Sequence, residues 1–195
     1  SLAKANISNE EEVKLAIKGS DAVVNCVGIL EEAGGSQKFD LLHNKYAARI
    51  AKISRDMDVR RFVQVSSLGA DVSSLSKYSR SKRKGEKSII ENFPNAVVLR
   101  PSIIFGPEDN FFNRFANISL FSPIIPIVGG GTKFQPIYVM DLAKAVIKSA
   151  TDNSFQGTFE IGGPDVLSFN ELISLMLEII DRRRLVFNCP FGIAL

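Results

Sequence analysis

Cysteine is scarce in this chain: Cys26 and Cys189 are the only two among 195 residues. Two thiols cannot build a disulfide framework, and neither has a metal-ligand neighbour at short spacing. A reducing, cytoplasmic setting and no metal site are therefore expected. No run of 18 apolar residues occurs, which excludes a transmembrane helix of ordinary length. The only histidine is His43, and no G-x-S-x-G turn accompanies it, so Ser-His-Asp hydrolase chemistry finds no support. An excess of one charge is missing too, since 24 Lys and Arg face 21 Asp and Glu for a net +3. The basic run from Arg80 to Lys87 is interrupted by Glu86 and has no aromatics interleaved. It reads as a solvated helix face apart from Lys82, and no nucleic-acid partner is expected.

What is present is ordinary globular material, 45% apolar and 23% charged. Apolar spacing over Glu11–Ile17 predicts a short helix ended by Gly19. The run Val23–Val27 lacks alternation, as a strand buried on both faces does. Tyr46, Ile50, Ile53 and Met57 mark one face of a helix between Phe39 and Met57, and Arg61–Val65 is a second strand. A helix over Lys77–Asn92 stops before Pro94, and Ala96–Leu99 is a third strand. A phenylalanine-rich stretch (Phe111, Phe112, Phe115) precedes a Pro- and Gly-rich connection from Ser122 to Gly131, in which the three glycines read as a turn. Asp141 is expected to cap a helix reaching Ala150, and Thr158–Ile161 is a fourth strand. Ser168 with Glu171 forms a capping box for a helix from Phe169 to Ile180. Alternating strands and helices at this spacing predict an α/β fold with a mostly parallel sheet.

The chemistry concentrates after the second strand. Tyr78 and Lys82 stand four residues apart on one helix face, and an ammonium beside a phenol favours the phenolate. Ser66 and Ser67 follow the strand, at the sheet end where ligands bind in open α/β folds.

Val65-Ser66-Ser67-Leu68-Gly69-Ala70 followed by Tyr78 and Lys82 resembles the serine–tyrosine–lysine signature of the extended or atypical short-chain dehydrogenases/reductases, the superfamily of the nucleotide-sugar epimerases. Asp21–Gly28, Asn44, Leu99–Pro107, Tyr138–Ala143 and Phe159–Pro164 match further landmarks in the same order. The phrases Asn25–Leu30, Ser67–Asp71, Asn110–Phe115 and Phe134–Pro136 are most similar to bacterial relatives of the NAD(P)H-binding accessory subunit of respiratory complex I.

The resemblance implies a Rossmann-like core binding NAD or NADP. Tyr78 would be the general acid/base, Lys82 would hold the ribose hydroxyls, and Ser67 or Ser66 would orient a substrate carbonyl. Asn6 and Ile7 would lie near the adenine. Cys26, Val27, Gly28, Asn44 and Val65 would line the cofactor, and Arg100-Pro101-Ser102 its nicotinamide side. Two functions follow from it. One is an oxidoreductase, epimerase or dehydratase acting on a small molecule. The other is a cofactor-holding structural or assembly subunit associated with complex I, peripheral on the inner membrane face. The core is expected in residues 1–107 and 132–164, and a smaller substrate-side lobe in 108–131 and 165–195.

The family's glycine-rich phosphate turn is absent: no G-x-G-x-x-G or G-x-x-G-x-x-G exists in these residues. The chain also begins with Ser and shows no signal-peptide pattern. It is therefore expected to be an internal portion of a longer polypeptide.

Overall fold

The computed structural model describes residues 4–189, so residues 190–195 of the expected smaller lobe lie outside the described residues. The chain runs α1 (Glu10–Ile17), β1 (Ala22–Asn25), a π-helix (Asp40–Tyr46), α2 (Ala47–Asp56), β2 (Arg61–Val65), α3 (Lys77–Asn92) and β3 (Val97–Pro101). It continues through β4 (Ile104–Phe105), α4 (Phe112–Phe121), β5 (Ile124–Val128), β6 (Lys133–Phe134), β7 (Ile137–Tyr138) and α5 (Val139–Thr151). The last elements are β8 (Gly157–Ile161), β9 (Leu167–Ser168), α6 (Phe169–Ile179) and β10 (Leu185–Cys189). These elements form two compact units, residues 1–101 with 143–161 and residues 102–142 with 162–195.

In the first unit, strands ordered β1-β2-β3-β8 make a parallel sheet, as the α/β expectation required. Phe62 and Val63 show why the strands read as continuous apolar runs. Phe62 packs among α1, α2 and α3 residues such as Val13, Ile50 and Ile89, while Val63 meets Val97, Leu99 and the α5 residues Val146 and Ala150. Both faces are covered, so alternation has no reason to appear. Buried Arg61 donates to the carbonyls of Ser149 and Phe155, placing a cation at the C-terminus of α5.

Among the described residues the second unit holds three two-stranded sheets. The Ser122–Gly131 connection contains a strand: β5 pairs in parallel with β10, and Ile125 and Ile127 are buried against Ile173, Met176 and Leu177. Pro126 sits opposite Phe187 with its ring outward, a position that tolerates the missing N–H. The three glycines do form a turn, closed by Thr132 N–H on the Gly129 carbonyl. The phenylalanine-rich stretch becomes α4, with Phe111 tilted against Phe169 and Phe115 meeting it edge-on.

Two helix expectations need correction. The single helix expected from Phe39 to Met57 opens as a π-helix and turns α-helical only at Ala47. Asp141 is not the cap of α5 but lies inside its first turn, where a carboxylate complements the helix dipole. Ser168 and Glu171 do form the capping box of α6.

Candidate functional site

The site is built where α3 crosses the carboxyl end of the sheet. Ser76 caps α3 by accepting from Ser79 N–H, which fixes the start of the helix. Tyr78, Lys82 and Glu86 then follow at intervals of four along one side. Lys82 and Glu86 are buried and Tyr78 is half-buried.

The Lys82 ammonium lies over the Tyr78 ring, 5.7 Å from its centroid. Burial pushes its pKa below the ordinary lysine value, against the raising pull of Glu86. Among the described residues the ammonium takes no hydrogen-bond partner, so its donors are available to a ligand. Gly28, after β1, makes room for it: a β-carbon there would stand 3.0 Å from Lys82 Nζ. Cys26 belongs to the same neighbourhood, its thiol pKa raised by burial and opposed by the charge of Lys82.

His43 completes the wall. Its Nε2 accepts from Ile29 N–H at 3.0 Å, so Nδ1 carries the proton and donates to Ser81 Oγ at 2.8 Å. The Ser81 hydroxyl in turn donates to the Tyr78 carbonyl. The imidazole is stacked on Phe39 and meets Tyr78 edge-on with centroids 5.5 Å apart. Burial first, and the charge of Lys82 second, lower its pKa to about 4, so the ring is neutral at pH 7.

A second cluster ties the sheet to α3. The Glu86 carboxylate, 1% exposed, accepts from Ser66 Oγ at 2.6 Å, from Arg83 at 3.1 Å, and from Arg100 at 2.9 and 2.7 Å. Burial opposes this charge, but hydrogen bonds from Arg100, Ser66 and Arg83 outweigh it and hold the carboxyl below the ordinary glutamate value. Arg100 also reaches Glu160.

The sequence candidates thus separate. Tyr78, Lys82, Cys26 and Gly28 come together. Ser66 is spent on Glu86, whereas the buried Ser67 hydroxyl has no partner among the described residues. Val65 ends β2, paired with Leu99, and Val27 N–H donates to Asn25 after β1. Asn44 links Asp40 to Ser88, and Asn6 closes a turn on Ser8 beside Ile7. Arg100 serves Glu86, and Pro101 pairs with Ile161. Ser102, in the second unit, accepts from Gln135 N–H. Sequence reading missed two residues, His43 and Glu86. The Tyr-x-x-x-Lys-x-x-x-Glu spacing of Tyr78, Lys82 and Glu86 carried a signal for the second.

The parallel sheet with a tyrosine–lysine pair at its carboxyl end defines a Rossmann-type nucleotide-binding protein. Residues 1–110 match the family model described as NAD(P)H-binding, and the chain belongs to that family. Two relatives are the mitochondrial subunit 9 of the NADH dehydrogenase (ubiquinone) 1 alpha subcomplex. The Arabidopsis thaliana protein is 33% identical over 190 residues, covering 95% of this chain and 47% of that protein. The Mus musculus protein is 35% identical over 185 residues, covering 93% and 48%. The chain therefore spans about half the length of the curated relatives it matches. In fold it is similar to a dTDP-4-dehydrorhamnose reductase of Clostridium acetobutylicum, with a TM-score of 0.83 at 19% identity over 95% of this chain and 72% of that one.

An orphaned buried hydroxyl at Ser67 and unpaired ammonium donors at Lys82, held close against the Gly28 backbone, fit the polyhydroxylated cofactor of this family. No helix among the described residues is long and apolar enough to cross a membrane.

Proposed function

We propose that the chain carries the proton-transfer machinery of an NAD(P)-dependent oxidoreductase of the short-chain dehydrogenase type, the class that also performs epimerase and dehydratase chemistry. The observation that carries this reading is the buried Lys82 ammonium, without a hydrogen-bond partner among the described residues and seated over Tyr78. Lys82 donates to the ribose hydroxyls and sets its charge beside Tyr78. Tyr78 gives a proton to a carbonyl oxygen in reduction and takes it back from the alcohol in oxidation. Ser67 orients that oxygen, because the Ser66 hydroxyl is already committed to Glu86. The nicotinamide, when bound, supplies or accepts the hydride. His43 and the Ile29 N–H hold the Gly28 backbone beside Lys82.

The names of the relatives favour a second reading: a cofactor-holding subunit associated with complex I, peripheral to the membrane that carries it. Fluorescence titration of the whole polypeptide with NADH and NADPH, followed by turnover assays with Tyr78→Phe as control, separates the two. Turnover that Tyr78→Phe abolishes supports the oxidoreductase. Cofactor binding with no such turnover supports the holding subunit, and no binding of either nucleotide overturns both.

A further inference from the structure

The second unit encloses a cavity of about 640 Å³, within the range of small-molecule sites. Its wall is mostly carbon, with Phe112 and Ala116 of α4, Leu172, Met176 and Ile179 of α6, and Phe105 of β4. Ile179 is 74% exposed, so the apolar surface runs out through the mouth instead of stopping at a polar rim. The polar side is acidic. Asp109, Asp141 and Asp165 line it, and no Lys, Arg or His does so among the described residues. Asp109 is fixed in place, its carboxylate accepting from Phe112 N–H at 2.6 Å and Gly106 N–H at 3.3 Å.

This combination selects by chemistry. A nucleoside diphosphate or sugar phosphate brings two or more negative charges, for which the wall offers no cation and only carboxylate charge. A fatty carboxylate meets the same repulsion. An alkyl chain fills the carbon-lined volume, each buried methylene adding to the affinity, and a hydroxyl or amine head can donate to the carboxylates.

We propose that this cavity binds a single-chain amphiphile, an alkyl chain with a hydroxyl or amine head and no anionic group. That this molecule is the substrate rests on the oxidoreductase reading above; that it binds does not.

The test is isothermal titration of the whole polypeptide with three ligands of equal chain length, each below its micelle concentration: dodecylamine, 1-dodecanol and dodecanoate. Saturable 1:1 binding of the amine and the alcohol is expected, with dodecanoate at least tenfold weaker and UDP-glucose without effect. Ala116→Phe, which fills the cavity, should weaken the amine and the alcohol at least tenfold. Asp165→Lys changes an exposed residue at the polar side and should bring dodecanoate to at least the affinity of dodecylamine. If Ala116→Phe fails to fold, the Asp165→Lys exchange decides. Equal binding of all three chains, no saturable binding of the amine and alcohol, or a folded Ala116→Phe that binds as before would overturn the proposal. NADH titrated in parallel keeps the two readings apart. Amphiphile binding without NADH removes the oxidoreductase and leaves the cavity assignment, and NADH binding without amphiphile does the reverse.

Discussion

Gly85 of α3 abuts the carbonyl of His43 so closely that a β-carbon on Gly85 would stand 1.8 Å from that oxygen. The neighbour is backbone, which cannot swing aside as a side chain can. Gly85→Ala must therefore push the π-helix off α3, and with it the imidazole that contacts Tyr78. A loss of about 3 kcal/mol, with a fall in Tm on the order of 10 °C, is expected. Gly131 supplies the control, because a β-carbon there meets nothing within 4 Å. Gly131→Ala should leave thermal unfolding unchanged.

His43 gives the fold a pH-dependent component with a definite sign. Its pKa is about 4 in the folded chain and 6.5 when exposed. The unfolded chain binds the additional proton between those values, so stability rises with pH across this window. It is lost as pH falls from about 6.5 to about 4, by on the order of 3 kcal/mol in total. Chemical denaturation at a series of pH values should show this slope in the wild type and a flatter one in His43→Gln.

Glu86 acts in a lower window. Its carboxyl pKa is depressed, so its contribution is complete above the unfolded value near 4.3 and disappears as pH falls through the folded value. Glu86→Gln removes the carboxylate charge and leaves one of its two Arg100 contacts facing an amide NH2. A cost of about 3 kcal/mol at pH 7 is expected from urea denaturation. A change below 0.5 kcal/mol would show that the cluster is not a structural tie.

Gly28→Ala separates binding from folding. The contact it creates is with the far end of a flexible side chain, Lys82 Nζ at 3.0 Å, which can move. Thermal stability should change by less than about 0.5 kcal/mol, as for ordinary tolerated positions. NADH affinity should fall about tenfold if Lys82 holds the ribose. Unaltered affinity would remove Lys82 from that role.

The first unit was legible because its signals are local. The core of β3 follows from the unbroken apolar run Ala96–Leu99, and the end of α3 from Pro94. The pairing of β5 was not, because its partner β10 lies far along the chain and Pro126 argues against a strand. Tyr78 and Lys82 stood out through their spacing, whereas Glu86 looked like a surface charge within a basic run. Its burial depends on Arg100 from β3 and Ser66 beyond β2, which only the fold brings to it. His43 draws notice in the sequence only as the partner a hydrolase triad would need and lacks a nucleophile elbow for, yet the fold keeps it neutral by burial and by the charge of Lys82 and orients it through Ile29 and Ser81, residues from two other segments.

The π-helix at Asp40–Tyr46 sets a phase relation along this segment. Each residue of an α-helix turns the chain by about 100°. Removing one residue between His43 and Ala47 would let the segment relax to α-helix while rotating His43 away from Ile29 and Ser81, with Ile50 and Ile53 still in the core. Length here is therefore constrained more tightly than composition: a substitution at Lys45 is a surface event, and its deletion is a re-aiming of the wall beside Tyr78.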